Sequence, residues 1–464
     1  MTISPHHPIA RRTALAAAAA AAVGVGAATA AHAEDARQPQ ASGTHVVPVT
    51  SRTAAADAAA RLRTALVSTT DLQPTGLYLP PDVQLGVEVE ADGDDVPSIV
   101  IGAPGSQLDP DAEDEDDFVG RTLTPRETEL EPGANLVSDA HGGVIYLSFP
   151  GADGAATATV SFGAAAEPMA TFVRGTTAEA EFQAQLDRSS APFAELVSTH
   201  AIVTVERDRL LLFRHEDHEK LLGILDRVVE IEQETAGYTT EGGVESRPPS
   251  GPHHLVGYPD GIEGVGAYAT NGYTAYPPPI QSTLLTVSGL TLDGWGPYHE
   301  LGHHHQQEPV NPGDVVEVTV NIFSLAVQRE FEREYGQVPR MREVDPETGT
   351  SHWDTAMEAL EAGIRDYAEL GPFEQLAPFD QLRLQYGDEF APAWATLVRQ
   401  QEPLTEEDRL QNVIYSTSAA AGDDLADFWQ AWGVEVADET RSALGQLGLE
   451  PPVVDPSTLR ESNL

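Results

Sequence analysis

A pentapeptide past the middle of the chain, His299-Glu300-Leu301-Gly302-His303, limits what can surround it more than any other stretch. Two histidines four residues apart lie on one face of a helix, where their imidazoles can close on a single metal ion. A glutamate beside the first histidine is then placed to take a proton from a metal-bound water. The flanks read as helix boundaries: Gly296-Pro297 opens it, and Pro309 with Asn311-Pro312-Gly313 closes it. A surface helix merely rich in histidine would leave the order of these residues unexplained. Catalytic zinc usually keeps three protein ligands and one open position, so a third ligand is required. The acids downstream are Glu308, Asp314 and Glu317. Glu308 stands close to Pro309, and Asp314 follows Gly313 in the manner of a helix N-cap. Glu317 falls in the first turn of a segment running to about Tyr335. As a helix, that segment carries a polar stripe of Glu317, Asn321, Ser324 and Gln328. As a strand, its run VVEVTVNIF alternates and is rich in β-branched residues. Residue chemistry leaves both readings open.

The stretch from Gly294 to Ser324 resembles the signature of the peptidase M60 family, the enhancin-like zinc metallopeptidases. In that pattern HExxH is followed, after a variable gap, by a glutamate on a second helix. The matching text is GWGPYHELGHHHQ at 294–306 and EVTVNIFSL at 317–325. ATNGYTAYPPP at 269–279, TGLYLPPDVQLGVEV at 75–89 and LEPGANLVSDAHGGVIYL at 130–147 are similar to family text as well. The resemblance implies that His299, His303 and Glu317 hold Zn2+, that Glu300 is the base, and that 315–335 is helical. It further implies an endopeptidase acting on glycoprotein or mucin-like substrates.

At the N-terminus, Arg11-Arg12 precede an Ala-rich apolar run that ends at Ala31-His32-Ala33. This reads as a cleaved export signal over 1–33, similar to the twin-arginine type, and predicts a secreted or extracytoplasmic protein without stable membrane insertion. Residues 34–55 read as a linker. From 56 to 163 short alternating runs such as VQLGVEVE, with Gly, Pro and Asp between them, predict a β-rich domain. A metallopeptidase domain is expected over 164–345, a helical subdomain over 346–450 and a frayed tail over 451–464. The fold class is therefore α+β: a β-sandwich-like N-terminal domain, then a zincin-like metallopeptidase domain with a C-terminal helical subdomain. Within it, AEAEFQAQLDRS and APFAELVS read as short helices, AIVTVERD as a strand, and EKLLGILDRVVEIEQETAG as an amphipathic helix. Trp394, Trp429 and Trp432 recur at helical spacing and read as core, with a sugar platform the sharper alternative for Trp432.

Charge restricts the partners. With 26 basic against 73 acidic residues, the net charge of −47 opposes binding to nucleic acid and to anionic membranes. The acidic run at 109–117 lacks the ordered spacing of a calcium loop and reads as a solvated segment. Cysteine is absent, so an exported chain must rely on core packing. A second histidine pair, His215 and His218, reads as a solvent-facing helix start. His253-His254 sit in a Pro/Gly-rich stretch, free to line a cleft.

Other candidate roles surround the motif. Tyr273 to Tyr276 is the candidate edge strand for holding an extended substrate by β-addition. Trp295, Tyr273 and Tyr276 are candidate sugar platforms, and Tyr298 is expected to pack against His299. Asn321 is expected to orient Glu317 or a histidine. Tyr335, His304 and His305 are candidates for the second donor an oxyanion needs. Two other functions compete. One is a non-catalytic, zinc-stabilised surface-binding or adhesion protein, against which the intact Glu300 speaks. The other is a glycoside hydrolase, for which no acid spacing provides support.

Overall fold

The computed structural model describes residues 45–66, 69–93, 95–109, 121–259 and 266–461. The expected export signal and most of the acidic run lie outside the described residues.

Alternation builds the first half. Strands β1 (His45–Thr50), β2 (Leu72–Leu79), β3 (Gln84–Ala91), β4 (Ser98–Ile101), β5 (Arg126–Glu129), β6 (Gly133–Ser138), β7 (Gly143–Ser148), β8 (Thr157–Phe162) and β9 (Glu167–Pro168) form two sheets. Their orders are β1-β8-β3-β6 and β5-β4-β7-β2-β9. Leu85, Val87 and Val89 of β3 meet Ile145 and Leu147 of β7 in the core between them. Burying such rows between two pleated faces is what holds a sandwich together. The stretch read as a linker ends in β1, which pairs antiparallel with β8 from His45↔Phe162 to Thr50↔Thr157. Partnering along a sheet edge decides this, and composition does not show it.

The five-stranded sheet is buried on its second face too. Val144 and Tyr146 of β7 point away from the sandwich and pack with Tyr78, Met169, Ala191 and Phe193. That contact joins it to a second sheet of β10 (Ala170–Val173), β11 (Phe193–Val197), β12 (Ala201–Glu206), β13 (His253–Gly257), β14 (Tyr268–Thr270) and β15 (Tyr273–Tyr276). Its order is β10-β11-β12-β13-β15-β14, with β12, β13 and β15 parallel. Three expectations change here. APFAELVS is strand β11 and not a helix, because it is inserted between β10 and β12 and buried on both faces. His253-His254 open the buried strand β13 instead of lining a cleft. Tyr273–Tyr276 is not the sheet edge, since β14 pairs outside it.

The amphipathic helix His218–Thr235 packs its apolar face on this sheet and on the helices that follow. His218, expected to face solvent, is fully buried, with its Nδ1 2.9 Å from Glu179 Oε2; His215 is exposed. The C-terminal helices enclose a core containing Trp353, Trp394, Trp429 and Trp432. Trp432 is 0 % exposed and its indole donates to Gln381 Oε1 at 2.9 Å, which removes it as a sugar platform. Val310, Val315, Val318 and Leu325 belong to the same core, so these helices back the motif region. The tail is docked through residue 461. Gln381 Nε2 donates to the carbonyls of Ser457 (3.0 Å) and Leu459 (2.8 Å), and Arg342 and Arg383 hold Glu461.

Candidate metal centre

The motif forms the helix Trp295–His303, starting at Gly294 with Pro297 in the first turn, where its missing N–H costs nothing. Tyr298 and Leu301 point into the core of the sheet and its helices. The opposite face presents His299 and His303, with ring centroids 4.8 Å apart. Gly302 allows the next helix to come close: a Cβ there would lie 3.0 Å from Val320 Cγ2 and from the Val320 carbonyl oxygen.

Residues 313–335 are helical throughout most of their length: a short turn Gly313–Val315, then Val316–Thr319, then Asn321–Tyr335. The β-branched alternation is overridden because the segment is enclosed on several sides. Val318, Thr319, Val320, Asn321, Ser324 and Leu325 are all buried, so packing against neighbouring elements outweighs the local strand propensity. This places Glu317 over the two histidines. His299 Nε2 is 3.0 Å and His303 Nε2 3.7 Å from Glu317 Oε2. Among the described residues, these three are the one group of metal-ligating side chains whose ligand atoms lie within 4.8 Å of one another. Glu308 turns away to Arg409 at 2.6 Å.

The donor set fits zinc. Bonds of about 2.0–2.1 Å put tetrahedral ligand atoms about 3.3 Å apart, between the two separations seen. Glu317's side chain is 64 % exposed, which leaves the cluster open on one side. Asn321 holds His299 from behind. Its Nδ2 donates to the Glu317 carbonyl at 2.8 Å, so its Oδ1 faces His299 Nδ1 at 2.7 Å. A carbonyl can only accept, so the proton sits on Nδ1 and the Nε2 lone pair points at the cluster. Gln306, which the sequence reading passed over, stands in the same relation to His303, its Oε1 2.8 Å from Nδ1. An amide a few residues past HExxH was the available signal.

The acids differ in electrostatics. Burial alone would raise the Glu317 carboxyl, but the bonds from His299 and His303 outweigh it and hold it well below the ordinary carboxylate range. Glu300, next to His299 and 6 % exposed, is pushed up to about 7. Burial is the main cause, with His299 opposing it and Glu317 adding to it. A carboxyl near 7 suits proton transfer at neutral pH.

The other candidates lie elsewhere. Tyr298 is fully buried and its hydroxyl donates to the Leu290 carbonyl, so it packs inward. Tyr276 is fully buried and Tyr273 nearly so, with its ring against Gly105, so neither offers a platform. Trp295 is half-buried, one turn before His299, with Phe373 at 5.6 Å and the Arg340 guanidinium 5.5 Å over its ring. Tyr335 ends the Asn321–Tyr335 helix, roughly 20 Å along its axis from Asn321 at 1.5 Å per residue, and packs on Phe331. His304 bonds the Thr270 carbonyl at 3.0 Å, and His305 is buried 3.5 Å from Glu232. Neither histidine faces the cluster. Tyr258, not singled out by sequence, lies near enough to Glu300 that its charge adds to burial in raising the phenol.

A β-sandwich joined to a mixed sheet, with an HExxH helix and a glutamate supplied by the following helix, defines a metallopeptidase-like protein of α+β architecture. The chain belongs to the M60 peptidase family: residues 165–433 match peptidase M60, enhancin and enhancin-like, and residues 53–162 match the N-terminal domain of M60-like peptidases. A functionally unknown conserved protein from Bacillus anthracis str. Ames is 27% identical, covering 90% of this chain and 82% of that one, with a TM-score of 0.76. The M60 catalytic domain of ZmpC from Clostridium perfringens, solved in complex with the sialyl T antigen, has a TM-score of 0.70. At 16% identity over 89% of this chain and 81% of that one, it shares the fold. TRPM8 channel-associated factor 2 of Bos taurus is 26% identical over 342 residues, 70% of this chain. The match spans about a third of that relative, 34%.

Proposed function

We propose that this protein is an exported, zinc-dependent endopeptidase that hydrolyses peptide bonds in glycoproteins. The observation carrying the reading is the convergence of His299 Nε2, His303 Nε2 and Glu317 Oε2 beside a buried Glu300. His299, His303 and Glu317 would hold the zinc, which when bound polarises the scissile carbonyl and acidifies a water. Glu300 takes the proton of the attacking water and delivers it to the leaving amine. Asn321 keeps His299 in the tautomer with Nε2 free. Trp295, half-buried one turn before His299, would supply the aromatic contact to a sugar. The glycan part is supported by the ZmpC domain solved with the sialyl T antigen, and export by the twin-arginine segment. With a net charge of −47, neutral Ser/Thr-rich glycopeptides suit the protein better than sialylated ones at low salt. The test is kcat/KM on matched peptides with and without one neutral O-glycan, at low and moderate salt, with products mapped by mass spectrometry. Equal cleavage of both removes the glycan preference. No cleavage by zinc-loaded protein favours the second reading, a binding protein, to which the name of the channel-associated relatives lends support.

A further inference from the structure

Gln306 lies three residues past His303 and is 4 % exposed. Its amide is used at both ends. Nε2 donates to the Val316 carbonyl at 2.7 Å and to Thr319 Oγ1 at 2.6 Å, with Asn311 Oδ1 at 3.3 Å. Thr319 in turn reaches Asn311 Oδ1 at 3.0 Å. Because the Val316 carbonyl only accepts, the amide nitrogen must face it and Oε1 must face His303. His303 Nδ1 therefore donates, and its Nε2 lone pair is turned toward Glu317. Val316 immediately precedes Glu317, so the same side chain that orients the second histidine also grips the turn that carries the third ligand. Asn321 does the mirror task one residue on, holding His299 and the Glu317 carbonyl.

We infer that Gln306 is a positioning residue of the metal centre: it sets the tautomer of His303 and fixes the Glu317 turn against the motif helix. The inference deepens the zinc reading and rests on it. A merely structural tie between two loops would show as lower thermal stability with unchanged metal affinity. A positioning role shows in the metal itself.

The experiment is chelator competition for zinc, with the visible spectrum of the Co2+-loaded protein, on the parent, Gln306→Met and Thr319→Val. Loss of such an outer hydrogen-bond partner typically weakens metal binding by about 10–100-fold. Gln306→Met is expected to fall in that range and to alter the cobalt spectrum. Thr319→Val removes one anchor of the amide and should shift affinity the same way by less, and it decides the matter if Gln306→Met does not fold. Parental zinc binding with unchanged affinity and cobalt spectrum in the folded variants overturns this inference alone. A parent that binds no zinc overturns the zinc reading and this inference with it.

Discussion

Two glutamates, one open to solvent and one fully buried, each bonded to side chains from other elements, are driven in opposite directions. Glu317 meets two imidazoles, opens to solvent on one side, and is held down as an anion. Glu195 lies in the contact between the sandwich and the second sheet, fully enclosed. Its Oε1 accepts from Tyr146 at 2.6 Å and from Thr204 at 3.0 Å, and Thr204 meets His254 Nε2 at 2.9 Å. Burial pushes its carboxyl up to about 7, with the Tyr146 and Thr204 bonds working against that rise. Among the described residues no cation faces it, so neutral hydroxyls only partly offset desolvation. The contrast separates a cluster able to hold a metal ion from a joint that tolerates a proton.

The sharpest way to break the comparison is Glu300→Gln. Zinc content and fold should persist while kcat falls by about 10²–10⁴, the usual worth of a general base; turnover at the parental rate would remove Glu300 from the mechanism. Next is Glu317→Ala. Metal analysis should show zinc affinity reduced by more than the roughly 100-fold that losing an outer partner costs, and unchanged affinity would end its role as a ligand.

The interface carboxyl gives a smaller, pH-dependent effect. Its folded value of about 7 exceeds the ordinary 4.5, so the folded protein holds the proton over that interval. Stability contributed by this group is fully present below 4.5 and is lost as pH rises through 7, by an amount of the order of 3 kcal/mol. Glu195→Gln should flatten that slope, so that urea midpoints of parent and variant converge or cross toward pH 8. Identical slopes would place the titration elsewhere. Smallest is Tyr146→Phe, which leaves the carboxyl one donor short and should cost about 1–3 kcal/mol in urea unfolding. In a double-mutant cycle with Glu195→Gln the two losses should add to less than their sum, and strict additivity would deny the contact.

Much of the fold was legible because local pattern and burial agree there. VQLGVEVE alternates and is a strand with one face in the sandwich core. EKLLGILDRVVEIEQETAG is periodic and is a helix. The recurring tryptophans close the C-terminal core. The short, enclosed pieces were not legible. APFAELVS has helix-forming composition, His253-His254 follow a loop signature, and the tail looks frayed. Each is fixed by partners far away in sequence: β10 and β12, β12 and β15, Gln381 and Arg383.

What the sequence determined by itself is the pairing of His299, Glu300 and His303, because i and i+4 on a helix need only local geometry. The residue types behind them, Asn321 and Gln306, are also written in the chain. Tertiary structure alone decided that VVEVTVNIF is helical, by enclosing Val318, Val320 and Leu325 between the motif helix and the C-terminal core. That choice brings Glu317 to 3.0 Å from His299, since in a helix Glu317 and Asn321, four residues apart, stand one turn apart on one face and both reach that imidazole. The candidate metal centre is therefore half local and half global: His299 and His303 follow from spacing, and Glu317 joins them through the packing around a segment whose own propensities favour a strand.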